Sequence, residues 1–557
     1  GERVEHFEPI TRDAMQYLYD IHPPGVPMGY ALSDSPRHGF LLGNSPTCSH
    51  CLIGDPGYLC GLNQNTLTTL AGKRLVDLLC SRKDVDAQKI GAMGASGGGT
   101  NTRFLLAHDP RIALAIPASI LGSDRSHNGG DADQCLFFTI NRGLSQIDLL
   151  ILHAPKPLLI ISASEDRHRS DRVAEYYRPF WKVLGSPQNV EFGTGEGPHG
   201  FPLGSRKIVA EFVLKHFLGD TRPVLEAEHP DDEPILHERD LDASFFGNLG
   251  YDGVGKRATD LVRERAQTLQ RTRAPRAGEV LIAAVKEVLH EPAGSFQAPA
   301  GALNVQPREI GWETEGGVPL RLYAPEPAPA PFAAAALTGP RFLMYVHDRG
   351  AGTPGRPQAL ATLLSGKLEF AVFEPRGVGV SLAPGPESNN AMMAPMLFSK
   401  QAGLARSACT QGRSLVGMRT SDLLQAARVL KARLPGNARI DLLAEGGLGF
   451  AAVLAAVLDP GAFARVVLFR APLSWSELAV CEARAYPFSD YLCGVLDHFD
   501  LPDLTRALPA GLVTWINPTD GGGRVLPLNV ANRAHRGAPI DFRRARVPSE
   551  LLRLLKK

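Results

Sequence analysis

IGAMGASGGG, residues 90–99, sets one serine among glycines directly after a short apolar run. Three structures use such a segment: a flexible linker, a phosphate-cradling loop, and a strand that turns sharply into a helix. The adjoining GTNTRFLLAH (99–108) has helical periodicity, so a linker fits poorly. The stretch contains no G-x-x-x-x-G-K-[ST], and no G-x-G-x-x-G opens the helix, so the phosphate-loop reading is weak. Strand, turn and helix remain. Gly94-Ala95-Ser96-Gly97-Gly98 then fits G-x-S-x-G, a turn that exposes a serine Oγ above a sheet. The backbone N–H of Gly97 would point where an oxyanion forms, with the helix dipole behind it.

A serine hydroxyl needs a base, and the base needs an orienting carboxylate. In sheets of this type the order along the chain is serine, acid, histidine. KPLLIISAS (156–164) reads as a buried strand, and Glu165 and Asp166 come directly after it. NVEFGTGEGPHGF (189–201) reads as a short strand and a Gly/Pro-rich loop that carries His199. Ser96, Asp166 and His199 are therefore the expected catalytic residues, with Gly97 in the oxyanion hole. Asp166 is preferred to Glu165 because aligning a later segment, GLVTWINPTD (511–520), places Asp520 opposite it. His168 is too near Asp166, His216 falls within the last helix, and His108 and His153 suit packing or capping.

The chain has 557 residues, more than one hydrophobic core accommodates. A net charge of +1 gives no bulk electrostatic reason to expect nucleic acid or an anionic membrane as partner. No run of 18 or more apolar residues suggests a membrane span, and the first twenty residues lack the pattern of a signal peptide. CSHC (48–51) has the gap of a zinc knuckle, but no second pair accompanies it, so no metal or other cofactor is expected. Buried thiols are the ordinary reading of the cysteines. A disulfide among Cys48, Cys51, Cys60 and Cys135 is the alternative for an exported protein.

Short apolar runs at 29–35, 89–96, 112–120 and 156–164 alternate with helical stretches at 70–82, 99–108 and 172–184. This alternation predicts an α/β fold, a mostly parallel sheet with helices on both faces. A second series begins near residue 306. IDLLAEGGLG (440–449) aligns with IGAMGASGGG without a gap, and both run into a small-residue helix that ends in Asp-Pro. The chain is read as one unit used twice: a catalytic domain over 1–220, a linker with helices over 221–305, and a degenerate domain over 306–557. In the second unit Gly446 replaces Ser96, Asp520 remains, and His535 lies too near Asp520 to serve.

GASGGGTNTRFLLAHDPRI, KPLLIISASEDRH and GEGPHGFP resemble bacterial α/β-hydrolases of the acetyl xylan esterase and cephalosporin-C deacetylase type. The resemblance spans roughly residues 29–218. It implies two tandem α/β-hydrolase-like domains, the second without its triad, and a carboxylesterase acting on acetyl esters of plant polysaccharide. It also implies a habit of export. Apart from the resemblance, the two domains are expected to pack on one another within the chain, with no nucleic-acid or membrane partner. The family has earlier strands and an oxyanion loop before GYALSDSPRHGF, so the first domain is expected to lack its earliest strands. A serine peptidase, a dienelactone-type hydrolase and a non-catalytic scaffold are the competing readings.

Overall fold

The computed structural model describes residues 51–556 apart from 52–53, 121–143, 145, 167–169, 225–254, 293, 300, 327–329, 333–339, 348–361, 363, 365–367, 383–398 and 483. The run at 29–35, Cys48, Cys135 and His168 fall outside the described residues. The chain divides into two compact units, Asn63–Lys256 on the one hand and Gly1–Leu62 with Arg257–Lys557 on the other.

The first of these units holds helix α1 (Gln64–Ser81), strand β1 (Gly91–Ala95), α2 (Gly97–His108), β2 (Leu114–Ala118), β3 (Leu158–Ala163), α3 (Ala174–Val183), β4 (Val190–Gly195) and α4 (Leu203–Val213). The four strands form one parallel sheet in the order β1-β2-β3-β4. Strand side chains alternate between faces, and each face buries its own set. Leu114, Ile116 and Ala118 meet Leu159, Ile161 and, from α4, Val209 and Phe212. Ala115, Leu158 and Ile160 meet Val76 of α1, Leu106 of α2 and Tyr177 and Trp181 of α3. β2 and β3 are buried along their whole length, as the two-sided parallel sheet requires. Among the described residues β1 and β4 are the two edges of this sheet, and Met93 on β1 is 56% exposed.

The second unit carries helices α5 (Ala258–Thr272) and α6 (Gly278–Leu289), then a nine-stranded sheet. Its strands are β5 (Asn304–Gln306), β6 (Glu309–Glu313), β7 (Pro319–Tyr323), β8 (Arg341–Val346), β9 (Glu369–Glu374), β10 (Arg439–Glu445), β11 (Arg465–Phe469), β12 (Val513–Ile516) and β13 (Asp541–Arg543). The order is β13-β12-β11-β10-β8-β9-β7-β6-β5. β13 through β9 run parallel and β7, β6 and β5 pair antiparallel. Helices α7 (Lys400–Thr410), α8 (Leu415–Lys431), α9 (Leu448–Leu458) and α10 (Pro548–Lys556) cover it. α9, LGFAAVLAAVL, is apolar all round and is buried accordingly.

The two sheets repeat one another at the level of single hydrogen bonds. Ser96 N–H donates to Ala118 O, and Gly446 N–H to Phe469 O. Ala113 N–H donates to Ile90 O, and Ala464 N–H to Ile440 O. Ser119 N–H reaches Ile161 O as Arg470 N–H reaches Ile516 O, and both donors have positive φ. These bonds also correct the alignment of the later segment. They set Ile161 opposite Ile516, which places Glu165, not Asp166, in register with Asp520. The sequence alignment slips by one residue here, because a buried apolar strand carries no marker of its own register.

Residues 54–62, read from the sequence as part of the first domain, pack in the other unit. Gly494 N–H donates to Tyr58 O at 2.7 Å and Leu496 N–H to Leu59 O at 3.0 Å. Arg406 pairs with Asp55 at 2.8 Å, both buried, and Tyr58 meets Phe488 edge-on. α5 and α6, read as linker, belong to the same unit. Arg257 and Arg263 both pair with Glu482, Arg273 reaches Asp503, and α6 buries Leu281, Val285, Val288 and Leu289.

Each unit keeps a buried neutral histidine. His153 packs with Nε2 at 3.1 Å from Pro157 O, and His535 with Nε2 at 2.9 Å from Leu473 O. Burial lowers both from the ordinary 6.5 to about 4. Between pH 6.5 and about 4 the unfolded chain therefore takes up protons that the folded chain refuses. Stability rises with pH across this window and is lost as pH falls through it, by about 3 kcal/mol per histidine. Urea midpoints measured from pH 7 to pH 4 check this. His535→Gln is expected to flatten the slope, and an unchanged slope would count against the assignment.

Candidate active site

At the end of β1 the backbone turns over on Ser96, with φ 55° and ψ −118°, and enters α2 at once. The first helical bond runs from Thr100 N–H to Ser96 O. A non-glycine residue in this region is strained, and such strain gathers where it aims a side chain. The glycines around the serine have different reasons. A Cβ on Gly94 would lie 2.4 Å from the backbone of Gly98, and one on Gly99 2.6 Å from Ala118 O. Gly98 itself has open space where a Cβ would go. The steric demand thus falls on Gly94 and on Gly99, which lies outside the five-residue motif.

Asp166 follows β3 and His199 follows β4. Because β1, β3 and β4 are parallel, Ser96, Asp166 and His199 all leave the same edge of the sheet. The two loops are stitched together. Ser164 N–H donates to Gly195 O at 2.8 Å, Glu165 N–H to Gly197 O at 3.1 Å, and Gly197 N–H to Ser164 Oγ at 3.0 Å. Beneath them Ser170 Oγ donates to Gly193 O, and Ser162 Oγ to Ser170 Oγ. Gly197 and Gly200 flank the histidine at φ 126° and 124°, values that exclude side chains, so the loop can double back over the sheet edge.

The result is one short contact: His199 Nδ1–H donates to Asp166 Oδ2 at 2.8 Å. The carboxylate is 3% exposed and the imidazole 49%. A buried acid holding a half-exposed histidine fixes the tautomer and leaves Nε2 to face incoming groups. Glu165, the rejected neighbour, is exposed. The contact with His199 thus separates Asp166 from Glu165, where the alignment with Asp520 does not. The other histidines are engaged otherwise: His108 Nδ1 with Phe104 O, and His216 Nε2 with Glu191.

The second unit builds the same turn without the reagent. Gly446 sits at φ 64° between β10 and α9. Asp520 Oδ1 accepts from the N–H groups of Gly522 and Arg524, closing its own turn. His535 bonds Thr505 and Leu473 O and packs against Trp515 and Phe542. The space beside the turn is filled: a Cβ on Gly447 would fall 1.9 Å from the buried Asp490 carboxylate, which Arg419 pairs at 3.3 Å. Nothing in the sequence pattern around Gly447 announced Asp490, 43 residues away. HDRG (347–350) has the form of an oxyanion loop; of it only His347 is described, buried and stacked on Tyr345. Tyr345 OH in turn donates to Glu445, the residue before Gly446.

Among the described residues no cluster of His, Cys, Asp or Glu could hold a metal ion, and no helix is long and apolar enough to cross a membrane. Cys51 and Cys60 are buried thiols.

No family model matches the chain, and no curated protein matches it. Solved structures do. A methylesterase aligns at 25% identity over 32% of this chain and 39% of its own, with a TM-score of 0.26. A carbohydrate esterase family 15 glucuronoyl esterase from Caldicellulosiruptor kristjansonii aligns at 15% identity over 30% and 55%, with a TM-score of 0.25. The glucuronoyl esterase catalytic domain from Hypocrea jecorina aligns at 19% identity over 29% and 54%, with a TM-score of 0.23. Each alignment spans less than two thirds of the matched chain's own length.

Proposed function

We propose that the unit Asn63–Lys256 is a serine carboxylesterase that works through an acyl-enzyme. The 2.8 Å contact between His199 and a buried Asp166, at the sheet edge where Ser96 is held left-handed on a helix N-terminus, carries this reading. In the proposed cycle His199 Nε2 takes the proton of Ser96 as its Oγ attacks the ester carbonyl. The tetrahedral oxyanion is received by the Gly97 N–H and the N-terminus of α2. The imidazolium formed is stabilised by Asp166, and it protonates the departing alcohol. Water then enters and gives a proton to His199 as its oxygen attacks the acyl carbon, and His199 returns that proton to Ser96 Oγ as the acid leaves. No metal or organic cofactor is called for. The acyl group, acetyl, and its carbohydrate alcohol come from the sequence resemblance.

The unit with Gly446 has a glycine where the nucleophile would stand, and its histidine and aspartate are committed to packing and to a turn. We assign it no chemistry and read it as a structural partner of the catalytic unit within the chain.

A chromogenic acetyl ester, an acetylated xylo-oligosaccharide and a proline-containing peptide separate the readings. Turnover of the two esters with none of the peptide is expected, together with covalent labelling of Ser96 by an organophosphonate. Peptide cleavage would replace the esterase by a peptidase, and no turnover and no labelling would leave a scaffold.

A further inference from the structure

In the unit that lacks a nucleophile, Cys409 and Cys493 lie with their sulfurs 3.3 Å apart, 84 positions from one another in the chain. Both are buried, and no bond joins the two sulfurs. Cys409 ends α7, and Cys493 precedes Gly494, whose positive φ turns the chain into a short helix. The two backbones are held in place from several sides. Arg406, one turn before Cys409, pairs with Asp55 and lies over the ring of Phe488. Gly494 N–H is bonded to Tyr58 O, and Asp490, three residues before Cys493, is paired with Arg419. The two sulfurs stand little more than 1 Å beyond the bonding distance of about 2 Å.

We propose that Cys409 and Cys493 form a disulfide that staples α7 to the segment carrying Asp490. Two thiols buried this deeply are shielded from oxidants once the unit has closed, so the bond forms as the chain folds. One thiolate attacks a sulfur of an external disulfide, either a small-molecule disulfide or a thiol–disulfide oxidoreductase, and expels the first reduced thiol. The second thiolate attacks the mixed disulfide, makes the Sγ–Sγ bond and expels the second. Two protein thiols are oxidised, the external disulfide is reduced to two thiols, and the two protons end on those thiols. A cross-link closing a loop of this length restricts the unfolded chain strongly.

The full chain, refolded in an oxidised/reduced glutathione buffer, tests this. Free thiols are alkylated under denaturing conditions and the protein is digested without reductant. A cross-linked peptide pair containing Cys409 and Cys493 is expected. Reduction is expected to lower Tm by roughly 5–10 °C, and to leave Tm unchanged in a Cys409→Ala/Cys493→Ala variant. Recovery of both cysteines alkylated, or of either one joined to a different cysteine, would overturn the proposal. The peptide result needs only the wild-type chain, so it decides the matter even if the double variant fails to fold. A Tm response to reductant that persists in a folded double variant would equally overturn the stapling role.

Discussion

Ser96→Ala is expected to remove ester hydrolysis while the unfolding curve stays in place. The loss expected is at least ~10³-fold in kcat, since the residual rate then rests on binding and the oxyanion donors alone. The fold has little reason to object. Ser96 lies at the surface end of β1, its side chain makes no cap hydrogen bond to α2, and alanine keeps the Cβ that the turn already tolerates. The measurement is turnover of the chromogenic acetyl ester beside a urea unfolding curve. More than a tenth of the activity remaining, on an unchanged unfolding curve, would sink the assignment. A collapse of both together would say only that the turn is structural, so Ser96→Thr, which keeps a hydroxyl, is measured alongside.

Asp166→Asn is expected to cost ~10⁴-fold in kcat with little change in KM. The amide is nearly isosteric with the carboxylate, so the loop stitching through Ser164, Gly195 and Gly197 survives. What changes is the partner offered to His199 Nδ1. A carboxylate only accepts, which keeps the proton on Nδ1 and makes Nε2 the atom that takes one. An amide can present its NH₂ instead, which moves the proton to Nε2 and blocks the base. It also withdraws the charge that stabilises the imidazolium. Glu165→Gln is the control, since Glu165 is exposed. The reverse pattern, with Glu165 essential and Asp166 dispensable, would mean that the wrong carboxylate has been assigned.

The nucleophile turn was legible because its requirements are local: a strand, small residues and a helix within about fifteen positions. His199 was legible for a similar reason, since a Gly/Pro-rich loop after the last strand is itself a local pattern. Asp166 was selected on a weaker basis. The strand before it is buried on both faces, so the sequence could be slid by one residue against its repeat without offence to any pattern. The contact with His199, 33 residues on, is what distinguishes it. Other features were illegible in principle. Asp55 meets Arg406 across 351 positions and Tyr58 meets Gly494 across more than 400, and neither pair is marked by anything nearby. Residues 54–62 therefore looked like part of the domain they precede. Asp490 was hidden in the same way, because a buried charge announces itself only through the partner that neutralises it.

The position of Asp490 bears on what the turn at Gly446 could be made to do. A turn of this kind serves catalysis by offering a vacant, positively polarised place to a negative charge that exists only for the moment of reaction. In the unit built around Gly446, that neighbourhood already holds the buried Asp490 carboxylate. The carboxylate packs against Gly447, the residue that caps α9, and Arg419 anchors it from behind. A serine placed at 446 would meet open space, but at a φ of 64° that strains any side chain, and its hydroxyl would stand near Asp490. Removing Asp490 first would take from the buried Arg419 its ion pair, leaving it the bonds to Arg376 O and Gln401. Adding chemistry to this turn therefore takes more than one substitution.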